Sequence, residues 1–530
     1  MEKILMSGNE AIALGAYEAG VKVGAGYPGT PSTEILENLC RYPEVSTEWS
    51  VNEKVALEVG IGSALAGGRA LITMKHVGLN VAADPLFTAS YIGVKGGLVV
   101  VTADDPEMHS SQNEQDNRHY ARAAKIPMLE PSDSEEARDF TKIAFEISEK
   151  YDTPVLLRTT TRISHSMSGL VKGQRVEAKT PEGFIPNQPK YVMIPLNAKK
   201  RHPVVERRMF QIAEDAENME FNFIEGGTGD FGIITSGVSY TYVREAYPDV
   251  PVLKLGMVYP LPELMIREFC SKYSTVYVVE ELDPFIEDQI KAWGLKVRGK
   301  DIFPIIGEYS PELIRCAIGG KSIPENISLS VKLPPRPPSL CPGCPHRIVY
   351  SVLSRMKLKV SGDIGCYSLG ALPPFTAMHT CIDMGASITV AQGIEMAMGG
   401  DCCDTVALLG DSTFAHSGIT GLLNAAYNKR HSLIIVLDNG TTAMTGIQPN
   451  PLSGETINGH ETVALDYAKF GEACGLKTED IRTVDAYKEE DIEKAISEMT
   501  ASGRLSLLIV KGLCIILKRR QQAARKERGA

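Results

Sequence analysis

The stretch that decides the fold is residues 410–439, which read GDSTFAHSGITGLLNAAYNKRHSLIIVLDN. An apolar run over residues 404–409 precedes it and predicts a buried strand. A segment rich in small residues then predicts a helix, and the apolar run 432–437 predicts a second strand. A Gly-Asp-Ser cluster follows the first strand, and Asp-Asn follows the second. Because open α/β sheets hold ligands at the carboxyl ends of parallel strands, we predict a doubly wound α/β fold with its site at these ends.

The polar residues at the two strand ends suit one kind of ligand. A carboxylate and an amide, with room for a backbone carbonyl, suit Mg²⁺ holding a diphosphate, because Mg²⁺ takes few protein oxygens. The pattern resembles the thiamine diphosphate (ThDP) motif, in which Gly-Asp is followed, after a helix and a strand, by Asn. In that motif Asp411 and Asn439 are side-chain ligands of Mg²⁺ and the Thr441 carbonyl is a third. The alternative is an ordinary βαβ unit.

Length and composition indicate a globular protein with several domains. At 530 residues the chain has room for about three or four domains. A net charge of −10 and a pI near 5.6 argue against nucleic-acid binding. No charge-free apolar stretch reaches roughly 18 residues, so we expect no membrane span. The N-terminus lacks a signal peptide, and the 11 cysteines therefore indicate a cytoplasmic protein with reduced thiols or metal ligands.

Alternating helix and strand patterns divide the chain into three α/β blocks. Residues 1–190 form the first block and residues 191–331 a second, smaller one. A proline-rich linker over residues 332–340 contains LPPRPP and is extended by its composition. Residues 341–517 form the third block, and the basic residues 518–530 are predicted to be a solvated tail, with an anionic partner site as the alternative.

The first block carries the other pattern that a ThDP site requires. Residues 53–79 read EKVALEVGIGSALAGGRALITMKHVGL: Glu53 opens a helix rich in Ala and Gly, a strand covers residues 70–73, and residues 74–76 form a loop. A carboxylate at N1′ of the aminopyrimidine promotes the tautomer that deprotonates the thiazolium, and small residues let a helix approach a flat ring. The alternative is a solvated glutamate that the helix dipole favours at an N-terminus.

Motifs across nearly the whole chain resemble those of the 2-oxoacid:ferredoxin oxidoreductase family, and within it the α subunits of indolepyruvate ferredoxin oxidoreductases. They are GYPGTPSTEI (26–35), NEKVALEVGIGSALAGGRALITMKHVGLNVAADP (52–85), HSSQNEQDNRHYA (109–121), CPGCPHR (341–347), GDIGC (362–366), MGASI (384–388), and GDSTFAHSGITGL with DNGTTAMTG (410–422 and 438–446). The resemblance implies a pyrimidine-binding ThDP domain for the first block. It implies a middle domain like the C-terminal domain of transketolase for the second, and a domain that binds diphosphate and Mg²⁺ for the third.

The resemblance also implies roles for individual residues. Glu53 is the implied N1′ glutamate, with Thr30 and His76 as the other catalytic residues. Thr30 would face the substrate carboxylate, and its alternative role is the N-cap of the following helix. His76 would donate to the 2-oxo oxygen, with a structural histidine as the alternative. The implied substrate-binding residues are Thr30, His109, Gln112 and Arg118; Arg118 would pair with a carboxylate, and the alternative is a solvated polar loop. The implied cofactor-binding residues are Glu53, Gly365, Tyr367, Met384, Gly385, Ala386, Gly410, Asp411, Ser412, Asn439 and Thr441.

The cysteines distinguish redox from non-redox chemistry. Cys341 and Cys344 form CPGC after the linker, Cys366 ends GDIGC, and Cys514 follows a predicted strand at 506–510. Four thiolates suit a [4Fe–4S] cluster, and the resemblance implies that these four are its ligands. A zinc ion held by four cysteines and buried, inert thiols are the alternatives.

The resemblance implies oxidative decarboxylation of 2-oxoacids, above all aryl pyruvates such as indolepyruvate, to acyl-CoA, with electrons passed to ferredoxin. The implied partners are a β subunit with a γ-type domain, ferredoxin, CoA and the 2-oxoacid, with an α dimer inside a heterotetramer. Typical α subunits continue into a ferredoxin-like domain with two CxxCxxCxxxC runs; this sequence has none. We therefore expect that domain to be cut away, absent or carried by another polypeptide. The alternatives are a non-redox ThDP decarboxylase or carboligase, and a non-catalytic scaffold.

Overall fold

The computed structural model describes residues 3–177, 181, 183–321, 334, 336–399 and 404–528. The chain forms two compact units, Met1–Ser330 and Val331–Ala530. Both alternate helices with mostly parallel strands, which confirms the predicted α/β class. Part of the predicted linker, residues 332, 333 and 335, lies outside the described residues, as do residues 529 and 530 of the predicted tail.

The strands of the first unit form three sheets. They are β1 (Ile4–Ser7), β2 (Val23–Gly26), β3 (Ser46–Trp49), β4 (Ala70–Lys75), β5 (Leu98–Asp104), β6 (Met128–Leu129), β7 (Val155–Thr160), β8 (Met167–Leu170), β9 (Phe223–Glu225), β10 (Phe231–Ser236), β11 (Val252–Leu255), β12 (Met257–Tyr259) and β13 (Thr275–Val279). The largest sheet has the order β12-β6-β7-β5-β4-β2-β3, the second β13-β10-β11-β9, and β1 pairs with β8. Only the pairs β12–β6, β9–β11 and β1–β8 are antiparallel among these strands.

Helices cover these sheets. They are α1 (Gly8–Glu18), α2 (Thr33–Leu39), α3 (Glu53–Leu65), α4 (His76–Val81), α5 (Ala83–Ile92), α6 (Arg118–Ala124), α7 (Ser134–Tyr151), α8 (Thr161–His165), α9 (Gln188–Tyr191), α10 (Pro195–Ala216), α11 (Gly237–Ala246), α12 (Glu263–Lys272), α13 (Phe285–Ala292) and α14 (Pro311–Ile318), with a 3₁₀ turn at Pro106–Met108. All seven residues of β5 are buried, as expected for a parallel strand covered on both faces.

One buried cluster of the first unit contains residues of both predicted blocks. Leu98 and Val100 of β5 share a buried cluster with Leu255 and Val258, which come from the predicted middle block. β12, also from that block, adds an antiparallel edge strand to the large sheet. The predicted division at residue 190 stays a prediction, and the two blocks are joined by this shared core.

The second unit is one parallel sheet between two helix layers. Its strands are β14 (Lys359–Ser361), β15 (Thr405–Gly410), β16 (Leu433–Asp438), β17 (Ile481–Asp485) and β18 (Ser506–Lys511), in the order β14-β15-β16-β18-β17. Its helices are α15 (His346–Arg355), α16 (Ala386–Ala397), α17 (Asp411–Thr413), α18 (Ile419–Tyr427), α19 (Tyr467–Ala473), α20 (Glu489–Ala501) and α21 (Ile515–Arg528). A π-helical turn covers Phe414–Gly418, and 3₁₀ turns cover Cys366–Ala371 and Thr478–Asp480.

Alternate residues of β15 build two separate cores, one on each face of this sheet. Val406 and Leu408 pack into one cluster, and Ala407 and Leu409 pack into the other. This is the doubly wound arrangement that the continuous apolar run predicted. The predicted strands at 404–409, 432–437 and 506–510 are confirmed, each shifted or extended by one residue.

One local prediction is wrong. Residues 74–76 are not a loop, because β4 pairs with β5 as far as Lys75 opposite Ala103, and His76 is the first residue of α4. The predicted tail is helical: its described side chains, on α21, are exposed, as expected for a solvated segment.

Within the part of the chain that is described, no helix has both the length and the apolar character needed to cross a membrane.

Candidate active site

Three polar residues meet at the carboxyl edge of the second unit's sheet. Asp411 directly follows β15, and Asn439 directly follows β16, the neighbouring strand. The backbone N–H of Thr441 donates to Asp411 Oδ2 at 3.0 Å and lies 3.1 Å from Asn439 Oδ1. One N–H group therefore brings the two side-chain oxygens together. The structure unites the three residues that were predicted to bind Mg²⁺.

Asp411 is a buried acid at this edge. Only 2% of it is exposed, and Oδ1 accepts the N–H of Ser412 at 2.7 Å. Burial and the nearby Asp438 carboxylate raise the pKa of Asp411 to about 7. Among the described residues no lysine or arginine pairs with it. A buried carboxylate in this state is costly, and a divalent cation would offset that cost. A carboxylate, an amide oxygen and a carbonyl are oxygen donors of the kind Mg²⁺ takes, so these residues fit the ion.

A second aspartate, Asp363, organises the adjoining edge and was not predicted. It follows β14 and is fully buried. Its carboxylate accepts the N–H groups of Ile364, Gly385 and Ser387 at 2.9–3.1 Å, and burial raises its pKa to about 6. Asp363 thus fixes the start of α16. The signal was present in the sequence, because a Gly-Asp pair lies at the end of β14 and another at the end of β15.

The predicted cofactor residues Gly365, Tyr367 and Gly410 pack against one another. A Cβ on Gly365 or Gly410 would lie 2.4 or 2.6 Å from the Tyr367 ring, so both positions require glycine. The Tyr367 hydroxyl donates to the Ile364 carbonyl at 2.8 Å and lies 3.0 Å from Thr413 Oγ1. Tyr367 is buried. Its visible role is to support the turn before Asp411, and cofactor contact stays a prediction for all three.

The segment Met384-Gly385-Ala386 forms the entry to α16. Gly385 has φ +98°, and a Cβ there would lie 2.6 Å from Ser417 Cβ. Met384 is half-buried, and Ala386 is the first residue of the helix. On the other side of the site, Ser412 Oγ accepts the hydroxyl proton of Thr442 at 2.9 Å.

The four predicted cluster cysteines lie in one region of the second unit. Burial and the thiols of Cys344, Cys514 and Cys341 raise the pKa of Cys366 to about 12. Burial, with Cys341 and Cys514 nearby, raises the pKa of Cys344 as well. Each thiol is therefore within electrostatic reach of others in the set. Cys344 and Cys366 resist ionisation, and a metal centre would supply the positive charge that turns them into thiolates.

Backbone contacts connect the cysteines to the Asp411 site. The N–H of Cys514 donates to the Asn439 carbonyl at 3.0 Å, and the N–H of Cys344 donates to the Cys341 carbonyl at 3.0 Å. His346, two residues after Cys344, is buried with Nε2 3.4 Å from Asn439 Nδ2. Burial lowers the pKa of His346 to about 4, so it is neutral. Sequence reasoning missed His346, although it follows CPGCP directly.

In the first unit, Glu53 begins α3 as predicted. Asn52 caps this helix, with Oδ1 accepting the N–H of Val55 at 3.0 Å. The alternative of a solvated glutamate is wrong, because Glu53 is only 5% exposed. Gly78 of α4 lies against its carboxylate, where a Cβ would be 2.7 Å from Glu53 Oε1. A glycine is therefore required beside this acid.

His76 and Lys75 lie at the junction of β4 and α4. His76 is fully buried, its Nε2 is 3.2 Å from the Asn113 carbonyl, and burial lowers its pKa to about 4. The catalytic role of His76 stays a prediction. Lys75 donates to the Ser110 carbonyl at 3.0 Å and to Ser111 Oγ at 2.8 Å, and burial lowers its pKa to about 8.

The remaining predicted residues have different environments. Thr30 is half-buried and does not cap α2, because Ser32 occupies the N-cap position; that alternative is wrong. Gly29, beside Thr30, lies where a Cβ would be 3.0 Å from Lys75 Cγ. His109 and Gln112 are exposed, and His109 Nε2 lies 3.1 Å from a carboxylate oxygen of Glu308.

Arg118 is not part of a solvated loop, and that interpretation is wrong. It begins α6, is 1% exposed, and its Nε donates to Asp116 Oδ1 at 2.9 Å. It also pairs with Glu280, from the predicted middle block, and donates to the carbonyls of Glu281 and Asp283. The nitrogens of its guanidinium therefore donate to groups of the protein itself. We therefore do not include Arg118 among the residues proposed to bind substrate.

A buried network surrounds this arginine. Arg158 Nε donates to Asp104 Oδ2 at 2.7 Å, and Arg158 also pairs with Glu130. Burial would raise the pKa of Asp116, yet Arg118 and Arg158 hold it well below its usual value. Burial raises the pKa of Glu281 to about 7. The network joins residues of β5 and β7 to the loop after β13 and thereby stabilises the first unit.

Two family models match the chain. Residues 14–224 match the model described as "Pyruvate flavodoxin/ferredoxin oxidoreductase, thiamine diP-bdg". Residues 363–510 match "Thiamine pyrophosphate enzyme, C-terminal TPP binding domain". The second match contains Asp411 and Asn439, and the first contains Glu53.

Similar proteins extend these matches over almost the whole sequence. The chain is 41% identical to indolepyruvate oxidoreductase subunit IorA of Archaeoglobus fulgidus, over 97% of this chain and 87% of that protein. It is 40% identical to the subunit IorA of Thermococcus kodakarensis, over 98% and 86% respectively. The chain belongs to the IorA family of indolepyruvate oxidoreductase subunits. The family predicted from the motifs is confirmed, and the chain is a subunit of a ThDP-dependent 2-oxoacid oxidoreductase.

A solved structure supports the fold. The 2-oxoglutarate:ferredoxin oxidoreductase from Magnetococcus marinus superposes with a TM-score of 0.51 at 18% identity, over 60% of this chain and 65% of that one. At this identity the likeness concerns the fold alone. It agrees with the two thiamine diphosphate family models that match this chain.

Proposed function

We propose that this chain is the catalytic subunit of an enzyme that oxidatively decarboxylates aryl pyruvates, indolepyruvate above all, to acyl-CoA. Electrons leave through a [4Fe–4S] cluster to a ferredoxin, and a β subunit is the partner chain. The observation that carries the proposal is the joint position of an uncompensated Asp411, Asn439 and four cysteines at one sheet edge. The relatives' names supply the substrate class.

The second unit would hold Mg²⁺ and the diphosphate of ThDP. Asp411, Asn439 and the Thr441 carbonyl would hold the ion, and Asp363 keeps the neighbouring loop in place. When bound, ThDP supplies the chemistry that cleaves the bond between the 2-oxo carbon and the carboxylate. The buried edge excludes water, which strengthens every electrostatic contact made there.

The first unit supplies the acid of the reaction. Glu53 holds or releases a proton at N1′ of the aminopyrimidine ring, which is the role of general acid–base groups positioned within hydrogen-bond reach. Gly78 leaves space beside the carboxylate. Thr30 contacts the substrate carboxylate. His76, the first residue of α4, would donate to the 2-oxo oxygen of the substrate.

The spacing of the cysteines favours a cluster over zinc. In tetrahedral zinc sites with Zn–S bonds of about 2.3 Å, ligand sulfurs lie roughly 3.8 Å apart. No three of the four thiols fall in a described ligand group whose atoms all lie within 4.8 Å of one another. The thiols nevertheless influence one another's pKa. A larger centre ligated by four cysteines fits this wider arrangement.

An anaerobic assay tests the proposal. The enzyme, purified with its partner chain and supplied with ThDP, Mg²⁺ and CoA, is given pyruvate, 2-oxoglutarate, phenylpyruvate and indolepyruvate with a viologen dye. We expect the highest kcat/KM with indolepyruvate, dye reduction, and formation of the acyl-CoA. Free aldehyde without dye reduction would instead support a non-redox decarboxylase.

Replacement of one cysteine tests the cluster. Cys344→Ala should lose most of the iron and the reduction of ferredoxin, because a cluster with three cysteine ligands is labile. Cys474→Ser is the matched control, since Cys474 follows α19 in the same unit and is likewise half-buried. Unchanged iron content in Cys344→Ala would contradict the proposed ligand set.

A further inference from the structure

The helix α21 carries an unusual concentration of positive charge. Residues 514–526 read CIILKRRQQAARK and contain five basic and no acidic residues, in a chain whose net charge is −10. From Lys518 to Lys526 every side chain is exposed. A helix that is polar on all sides does not contribute its surface to a core. This stretch, which we call the basic helix surface, therefore faces solvent.

Helix stability does not account for these charges. The helix dipole favours acidic residues in the first turn and basic residues in the last. The first turn of α21 has no acidic residue, and Lys518 is its fourth residue. Lys518, Arg519 and Arg520 thus lie in the half of the helix where cations gain least. The described residues around α21 hold it through few polar contacts, such as Arg520 Nη1 to the Gly446 carbonyl at 3.3 Å.

The helix starts at a proposed cluster ligand. Cys514 directly precedes α21, and its carbonyl accepts the N–H of Lys518 at 2.9 Å, which is the first helical hydrogen bond. Arg520 follows Cys514 by six residues, which corresponds to a rise of roughly 9 Å along a helix axis. The basic helix surface therefore projects from the place where electrons are proposed to leave the chain.

We propose that the basic helix surface is the docking site for an acidic, soluble, one-electron carrier protein of the iron–sulfur type. This inference rests on the proposed function, because it takes the four-cysteine centre as the electron donor. In each encounter the reduced cluster gives one electron to the oxidised carrier, so the cluster is oxidised and the carrier reduced. The chain's overall negative charge would repel an acidic carrier, and a local basic surface beside Cys514 reverses that repulsion at the exit point.

Charge neutralisation tests the docking site. The variant Lys518→Gln/Arg519→Gln/Arg525→Gln keeps Arg520 and its contact to Gly446. The enzyme is assayed with its partner chain, anaerobically, with a purified acidic [4Fe–4S] ferredoxin and separately with methyl viologen. We expect the KM for the ferredoxin to rise about tenfold or more at low salt, a fold-change typical of lost electrostatic steering. Viologen turnover and iron content should stay within about twofold.

Added salt and a control variant test whether the change in KM is electrostatic and specific to this helix. Added salt should weaken ferredoxin reduction by the unaltered enzyme and have little effect on the variant, because salt screens charge pairs at the surface. The control Lys357→Gln/Lys469→Gln/Lys494→Gln removes three exposed positive charges of the same unit and should leave the KM for ferredoxin unchanged. If the triple variant fails to assemble, Arg525→Gln/Lys526→Gln changes the helix farther from Cys514 and should still raise that KM.

The outcomes separate the two proposals. An unaltered enzyme that reduces neither carrier overturns the proposed function. Normal viologen reduction with an unchanged KM for ferredoxin in both helix variants overturns the docking site alone. The docking site is also overturned if the helix variants lose binding to RNA or to anionic vesicles while ferredoxin kinetics stay the same.

Discussion

The two units bury carboxylates in opposite ways. In the first, Asp104 and Asp116 lie against Arg158 and Arg118, so the buried charges are matched by guanidinium groups. In the second, Asp411 is bonded to N–H groups, and no lysine or arginine pairs with it among the described residues. In the first unit, the protein's own arginines balance these buried carboxylates. In the second unit, a bound cation would offset the charge of Asp411.

This difference separates residues that maintain structure from residues that bind ligand. A buried carboxylate that is paired with an arginine needs no further ion to balance its charge. Removing either partner leaves the other buried and unpaired. Asp363 is an intermediate case, because three N–H groups satisfy it and it organises a loop. Asp411 accepts the N–H groups of Ser412 and Thr441 and lies beside the side-chain oxygen of Asn439. Substitution of a buried charge shows to which of these two groups it belongs.

The largest effect is expected at Glu53. Glu53→Gln should keep the fold and bind ThDP, but turnover should fall by roughly 10²–10⁴-fold, the usual contribution of a general acid–base group. Turnover, calorimetric ThDP binding and thermal unfolding are measured together. Glu58→Gln on the same helix is the control, since Glu58 is exposed and pairs with Lys54. Normal turnover would remove Glu53 from the mechanism, and a large loss of stability would place it with the structural carboxylates.

A large effect on stability is expected at Arg158. Arg158→Gln leaves Asp104 and Glu130 buried with less compensation, so the free energy of unfolding should fall by about 3–5 kcal/mol. Arg162→Gln is the matched control, because Arg162 is exposed and its pair with Glu308 should contribute at most about 1 kcal/mol. Denaturant unfolding measures both. Equal effects would mean that the buried network does not differ from a surface ion pair.

A smaller effect is expected from Glu281, which lies in the same network. Burial raises its pKa in the folded protein to about 7, from a usual value of 4.5. Between these values the folded state binds more protons than the unfolded state, so the free energy of unfolding decreases as pH rises through this window. Glu281→Gln should flatten that decrease by up to about one proton's slope. Exposed Glu312 serves as the control, as Glu312→Gln should leave the slope unchanged.

Short-range patterns were enough to predict much of the second unit. Gly-Asp after a strand and Asn after the next strand placed Asp411 and Asn439 correctly, because the ends of neighbouring parallel strands meet at one edge. The same reasoning gathered Cys366 and Cys514 near Cys344. These residues are positioned by the strands they follow. The local sequence is therefore enough to predict where these residues lie.

Contacts between residues far apart in the chain could not be predicted from the sequence. Arg118 was predicted to lie in a polar loop. Its partner Glu280 is 162 positions away, and no local pattern predicts that pairing. His76 was placed in a loop because its burial depends on Asn113, from a distant segment. Asp363 is different: its Gly-Asp signal was visible, and its role in fixing α16 was overlooked.

A titration of ThDP with Mg²⁺ into the unaltered protein and Asp411→Asn tests the central claim most directly. We expect Mg²⁺-dependent, saturable binding to the unaltered protein and at least about tenfold weaker binding to the variant, as for groups around bound metals. The variant without ligand should be as stable as the unaltered protein or more so, because it lacks the cost of a buried, unmatched carboxylate. Binding of equal affinity in both proteins would contradict the account.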